Sequence, residues 1–186
     1  CGYHSLNEVD VSVLTNLERL ELANNQLTTI DIEDLTNLKW LNVIQNQISE
    51  IDLINNTLLE IIWVESNLLN DVDVSLNTNA VNLAVGYNSL TNLDVSNNPN
   101  LWTITAEGND LETIDVSNNL SLVHLWVFDN PNFNKVDVSN NSVLQSMGIW
   151  NTKVSVLDLS NNLEFRRLYF WDNPNLTHLD MRNGNN

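Results

Sequence analysis

Basic residues, cysteine and long apolar runs are all scarce in this sequence, and each scarcity removes a class of function. The 186 residues hold 7 Lys and Arg against 24 Asp and Glu, a formal net charge of -17. A surface of that sign repels phosphate backbones, anionic membranes and acidic polysaccharides, which excludes nucleic acid as a partner and favours neutral or basic ligands. Cys1 is the single cysteine, so no intrachain disulfide forms and the redox compartment stays open. No stretch approaches the roughly 18 apolar residues of a membrane helix, and no charged segment followed by an apolar one reads as a signal peptide. Motifs of catalysis are missing as well: there is no glycine-rich phosphate loop, no nucleophile elbow and no metal-ligand spacing. The three histidines, His4, His124 and His178, are scattered. The chain reads as non-enzymatic, with no cofactor and no metal.

What the sequence has is a repeat. The pattern L-x-x-L-x-L-x-x-N-x-L-x-x-L-D returns about every 21 residues, and with 42% hydrophobic residues it can build a continuous core. One register gives Leu17, Leu20, Leu22, Asn25, Leu27 and Ile30, and the next gives Leu38, Leu41, Val43, Asn46, Ile48 and Ile51. The asparagine column runs Asn25, Asn46, Asn67, Asn88, Asn109, Asn130, Thr152 and Asn173. Placing Thr152 rather than Asn151 in that slot keeps Leu144, Met147, Ile149 and Val154 in frame. Two repeats carry one extra residue, each at an Asn-Pro-Asn (130–132 and 173–175), expected as a small bulge. A side-chain amide both donates and accepts, so the asparagines are expected to satisfy backbone groups where each strand turns.

The repeats resemble the leucine-rich-repeat family over essentially the whole chain. The short repeat length and segments such as Leu93 to Asn98 look most like repeats of secreted or surface bacterial proteins. The resemblance implies a solenoid with a parallel β-sheet on its concave face, and leucine-rich repeats most often bind proteins. A repeat of this length has no room for a full helix, so the convex side is expected to be extended or 3₁₀-like. The expected organisation is one domain, 1–186, of about eight full repeats after a truncated first repeat at 1–10. The end after Asp180 shows no obvious cap and reads as a cut from a longer polypeptide or a fraying last repeat. Counting back from Asp10 places His4 in the asparagine slot and Cys1 in a core slot where related repeats often carry cysteine. A rival reading makes Cys1 the acylated first residue of a lipoprotein.

An aspartate column (Asp10, Asp31, Asp52, Asp73, Asp94, Asp115, Asp137, Asp158 and Asp180) falls on the convex side. Each carboxylate is expected to accept nearby backbone N–H groups in an Asx-type turn. Cation binding along this ladder is the weaker alternative, because one carboxylate per repeat does not supply a calcium site. Sequons at Asn55, Asn119, Asn140 and Asn175 follow from composition and carry no argument.

Repeats differ where side chains alternate outward from the strand onto the concave face. One outward column reads Glu21, Asn42, Trp63, Ala84, Thr105, Trp126, Gly148 and Tyr169, and the next reads Ala23, Ile44, Glu65, Gly86, Glu107, Phe128, Trp150 and Trp171. Trp40 and His124 precede the central core residue, and Tyr87 lies just beyond its strand. All six tryptophans fall in or next to strands, five of them in columns expected to face solvent, and such an apolar patch marks an interaction site. With strands ~4.8 Å apart, Trp126 and Tyr169 are expected to stand roughly 10 Å apart across Gly148, leaving a notch walled by Phe128, Trp150 and Trp171. Asp129, Asp172, His124 and Arg167 would orient a ligand there, with Trp63 and Tyr87 extending the face. Glu65 and Glu107, separated by Gly86, are expected to be solvated and to titrate normally. The partner is a protein or a neutral polysaccharide; a spacer without ligand leaves the tryptophans unexplained.

Overall fold

The computed structural model describes residues 5–184, so the two readings of Cys1 and the slot of His4 lie outside it. Among the described residues there are twelve strands of three residues each: β1 (Arg19–Glu21), β2 (Trp40–Asn42), β3 (Ile61–Trp63), β4 (Asn82–Ala84), β5 (Thr103–Thr105), β6 (Thr113–Asp115), β7 (His124–Trp126), β8 (Lys135–Asp137), β9 (Ser146–Gly148), β10 (Val156–Asp158), β11 (Arg167–Tyr169) and β12 (His178–Asp180). Eight of them form one parallel sheet in the order β1-β2-β3-β4-β5-β7-β9-β11. The register is that of the sequence columns, for example Trp63 beside Ala84 and Trp126 beside Gly148. No helix occurs among the described residues, and the return path of each repeat is built of turns. The chain is therefore a solenoid of about eight turns.

One apolar side chain at the centre of each concave strand and one just past its end point inward, and stacking buries them against the turns before and after. Leu41, Ile62, Leu83, Ile104, Leu125 and Met147 are fully buried along one line, and Val43, Val64, Val85, Ala106 and Val127 along the next. In the last repeat the same lines are open: Leu168 is half-buried and Phe170 exposed.

Asparagines join the repeats to one another. Nδ2 of Asn46 donates to Val43 O in its own repeat (2.9 Å) and to Leu22 O in the preceding one (3.0 Å), while its Oδ1 accepts from Leu27 N (3.1 Å). Thr152 holds the slot in its repeat and donates through its hydroxyl to Asn173 Oδ1 (2.8 Å). The residue before each slot has a left-handed backbone, with φ between 52° and 64° at Asn24, Gln45, Ser66, Tyr87, Gly108, Asp129, Asn151 and Asp172. That conformation turns the chain off the strand and disfavours β-branched residues, none of which occurs in the column.

Aspartates close the convex turns as expected: Oδ1 of Asp73, Asp94, Asp137 and Asp158 each accepts the amide two residues on, at 2.8 to 2.9 Å. A second asparagine line, at Asn56, Asn77, Asn98, Asn119, Asn141 and Asn162, is almost wholly buried beneath this side. Asn98 Nδ2 donates to Val74 O and Asn77 O in the preceding repeat, both at 2.9 Å. Burial also removes the sequon at Asn119 from reach. The two Asn-Pro-Asn insertions lengthen the repeat spacing to 22, and across those two spacings the convex side pairs as strands, β6 with β8 and β10 with β12. A convex recess of about 500 Å³ lies at the β6–β8 pair (around Thr113, Asp115, Lys135 and Asp137), and another of about 680 Å³ lies among the N-terminal turns (around Asp31, Glu50, Asp52 and Asp73).

Candidate functional site

Stacked parallel strands place equivalent side chains about one strand spacing apart, close to the stacking distance of aromatic rings. Phe128, Trp150 and Trp171 occupy one column in three successive repeats and their rings stack. Phe128 and Trp150 centroids are 3.5 Å apart at 12°, and Trp150 and Trp171 are 4.2 Å apart at 15°. Tyr169 meets Trp171 edge-on at 6.4 Å. Trp171 is 51% exposed, and the group forms a continuous apolar ridge on the concave face.

The notch expected at Gly148 is absent. Trp126 lies over this glycine, and a Cβ there would clash with Trp126 Cε3 and fall 3.0 Å from Trp150 Cζ3. Trp126 and Tyr169 centroids are 5.6 Å apart rather than roughly 10 Å. Strand spacing fixes backbones, but an indole is long enough to lie down over a neighbour without a side chain. Gly148 thus seats Trp126 in the ridge.

Other sequence-derived candidates lie around this ridge. Asp129 accepts from Asn151 Nδ2 (2.9 Å), and Asp172 shares its left-handed backbone column. His124 meets the Trp102 ring edge-on at 4.7 Å, and its Nδ1 is 2.6 Å from Ser146 Oγ. Burial, then the charge of Arg167, depresses the basicity of His124. Arg167 and His124 line a small recess of about 80 Å³ with Gln145, Ser146 and Arg166. Trp63 belongs to a separate N-terminal group. Its ring contacts Trp40 at 4.9 Å, its Nε1 donates to Asn82 Oδ1 (2.9 Å), and the Arg19 guanidinium sits 3.9 Å over Trp40.

Between the two aromatic groups lies an acidic patch that corrects the expectation of solvated, ordinary carboxylates at Glu65 and Glu107. Glu107 leans over Gly86, whose Cβ would stand 2.9 Å from its carboxyl carbon, and is only 8% exposed. Its Oε2 has no hydrogen-bond partner. Burial is the main cause that pushes Glu107 from an ordinary 4.5 up to about 7, with the charges of Glu65 and Asp129 adding to it. Burial also raises Glu65, against the hydroxyl of Thr105, which donates to its Oε1 at 3.0 Å. The Tyr87 ring covers Gly108, and burial first, then Glu107, Asp129 and Glu65, raises its phenol. Among the described residues no group of three or more His, Cys, Asp or Glu could hold a metal ion, and no helix is long and apolar enough to cross a membrane.

No protein-family model matches the chain, and no curated protein matches it by sequence. Its fold is that of leucine-rich-repeat structures. The functional domain of InlJ from Listeria monocytogenes, which includes a cysteine ladder, superposes with a TM-score of 0.58 at 22% identity over 96% of this chain and 56% of its own. A leucine-rich-repeat protein of Leptospira interrogans gives a TM-score of 0.59 at 16% identity, over 89% of this chain and 60% of its own. A chain of the LRIM1/APL1C complex gives 0.67 at 18% identity, over 90% of this chain and 37% of its own. The present chain thus spans less than two thirds of each of these structures.

Proposed function

We propose that this leucine-rich-repeat solenoid is a non-enzymatic recognition module that binds a protein partner on its concave face, anchored on the aromatic ridge. The carrying observation is the stack of half-buried Phe128 and Trp150 with exposed Trp171, and exposed Tyr169 beside it. Aromatic anchors surrounded by polar residues are how protein interfaces concentrate binding energy, and a ridge of this kind fits a groove or apolar pocket on a partner. Two features support a protein over a neutral glycan. A sugar ring packs on an open aromatic face, whereas Phe128 and Trp150 have stacked their faces on one another, and the other face of Trp150 is taken by Trp171. One similar structure is moreover a complex between two proteins. Secretion or surface display is the location implied by the resemblance of the short repeats to those of secreted or surface bacterial proteins.

The test is intrinsic tryptophan fluorescence of the purified chain against an array of extracellular proteins and a panel of neutral oligosaccharides, with Trp171→Ala as the ridge variant. The expected result is a protein ligand whose affinity falls at least ~30-fold in the variant, as for an interface hot spot of about 2 kcal/mol. A saturable response to an oligosaccharide that the variant loses, with no protein ligand, would replace this reading by glycan binding.

A further inference from the structure

We propose that the recess beside Ser146, on the rim of the concave face, takes a carboxylate presented by a glutamate or aspartate side chain of the protein partner. This rests on the reading of the concave face as a protein-binding surface and names what its rim recognises beside the ridge. The first residues of β7, β9 and β11 lie in register, His124 beside Ser146 and Ser146 beside Arg167, so a short side chain stands between two long ones. Serine does not fill the gap, and a recess of about 80 Å³ remains, lined by His124, Gln145, Ser146, Arg166 and Arg167. That is roughly the volume of two or three water molecules, room for a carboxylate but not for a ring. Every one of these side chains carries a hydrogen-bond donor and none carries an anion.

Ser146 is buried and its Oγ is held 2.6 Å from His124 Nδ1, which fixes the floor, while both arginines are exposed and open to a ligand. Arg166 is engaged by Glu164 at 3.2 Å. Arg167 makes no ion pair among the described residues, although the chain holds 24 carboxylates. The charge that acts on His124 is that of Arg167, and no carboxylate opposes it. A guanidinium offers paired N–H groups that match the two oxygens of a carboxylate.

The rim around the recess is free of acid. Segments 74–84, 95–105, 116–126 and 138–148, which run into β4, β5, β7 and β9, contain no Asp or Glu, and 159–169 contains Glu164 alone. In the three earlier repeats the residue before the strand is Glu18, Lys39 and Glu60; from there on it is Val81, Trp102, Val123, Gln145 and Arg166. Backbone hydrogen bonds tie these five into one line, each amide from Trp102 onward donating to the carbonyl of the one before. Val81 and Trp102 are exposed, so an apolar shoulder leads up to a basic recess. Elsewhere a net charge of -17 repels anions, and a free inorganic anion meets that repulsion as it approaches. A carboxylate carried on a neutral or basic partner is delivered by the docking of the rest, and its pairing with Arg167 fixes the register of that docking.

The experiment follows the backbone amide signals of His124, Ser146 and Arg167 in the ¹⁵N-labelled chain at constant ionic strength. The probes are Nα-acetyl-glutamate amide, the neutral and nearly isosteric Nα-acetyl-glutamine amide, and sodium sulfate. The expected result is saturable shifts with the glutamate probe and none with the glutamine probe, weakened at least ~10-fold in Arg167→Gln while the rest of the spectrum is retained. Lys153→Gln, which removes a like charge beyond the other end of β9, leaves the affinity unchanged. Equal responses to the two amides, equal losses in the two variants, or no shift with glutamate at about 0.1 M would overturn the proposal. Shifts with sulfate and none with glutamate would overturn it too, and assign the recess to a free inorganic oxyanion. The indole signals of Trp150 and Trp171 stay still in this titration, so the recess and the ridge are judged separately. The expected probe result stands even where the ridge captures no protein, and a protein captured by the ridge does not rescue a recess that ignores glutamate.

Discussion

Gly86 and Gly148 lie in neighbouring columns of one concave sheet, and each is roofed by a side chain from an adjacent repeat, yet the two roofs have opposite chemistry. Over Gly86 leans the carboxylate of the following repeat; over Gly148 lies the indole of the preceding one. A glycine on such a face is therefore not a hole. It is a seat, and the neighbour that fills it decides whether the surface above is acidic or apolar. The carboxylate roof costs stability, because it withdraws a charge from water without a partner. The indole roof contributes, because Trp126 gains contact with the sheet and with Tyr169.

Removing the charge of the first roof has the largest expected effect on stability. Glu107 has a folded value near 7 against an ordinary 4.5, so the folded state holds its proton more tightly than the unfolded state. The associated stability is fully present below pH 4.5, is lost as pH rises towards 7, and stays absent above. Glu107→Gln should accordingly be more stable than the parent at pH 8, by up to ~3 kcal/mol, and should lose most of that difference at pH 4.5. Urea denaturation at the two pH values checks this, and equal differences at both would contradict it.

A smaller effect is expected at the second roof. Gly148→Ala drives a methyl into a stiff indole and should cost about 1–3 kcal/mol in thermal unfolding, with the Trp126 emission shifted as the ring lifts from Tyr169. Gly86→Ala should cost less, on the order of 1 kcal/mol, because the end of a flexible glutamate can swing away and the Glu107 backbone oxygen, 3.1 Å from the new methyl, has to give only slightly. That movement returns Glu107 to water, and its titration midpoint should fall back towards 4.5. Similar costs for the two alanines, with Glu107 unmoved, would dissolve the distinction between the roofs.

The sequence carries the frame of this molecule more fully than it carries its surface. Leucine, asparagine and aspartate columns are legible because one side-chain type recurs at a fixed spacing, and the structure places each in the role its chemistry implies. The left-handed column is harder to see, since Asn, Gln, Ser, Tyr, Gly and Asp all occupy it; its signal is the lack of any β-branched residue. Except at Asn77, the buried line from Asn56 to Asn162 hides within Asn-Asn pairs that resemble composition, although Leu35 in the equivalent slot of the preceding repeat marks the position as interior. On the concave face the columns give the correct neighbours, and the stack of Phe128, Trp150 and Trp171 follows from them. Spacing says nothing of where a long side chain lies down. For that reason the open notch at Gly148 and the ordinary carboxylate at Glu107 are both absent.

The central claim, that a partner sits on the concave face, is tested most directly by site-specific photo-crosslinking. A benzophenone amino acid replaces Trp171 on the ridge in one variant and Val156, exposed on the convex side, in another. Both are irradiated with the protein ligand found on the array. The account predicts a covalent adduct from position 171 and none from 156; an adduct from 156 alone would contradict it.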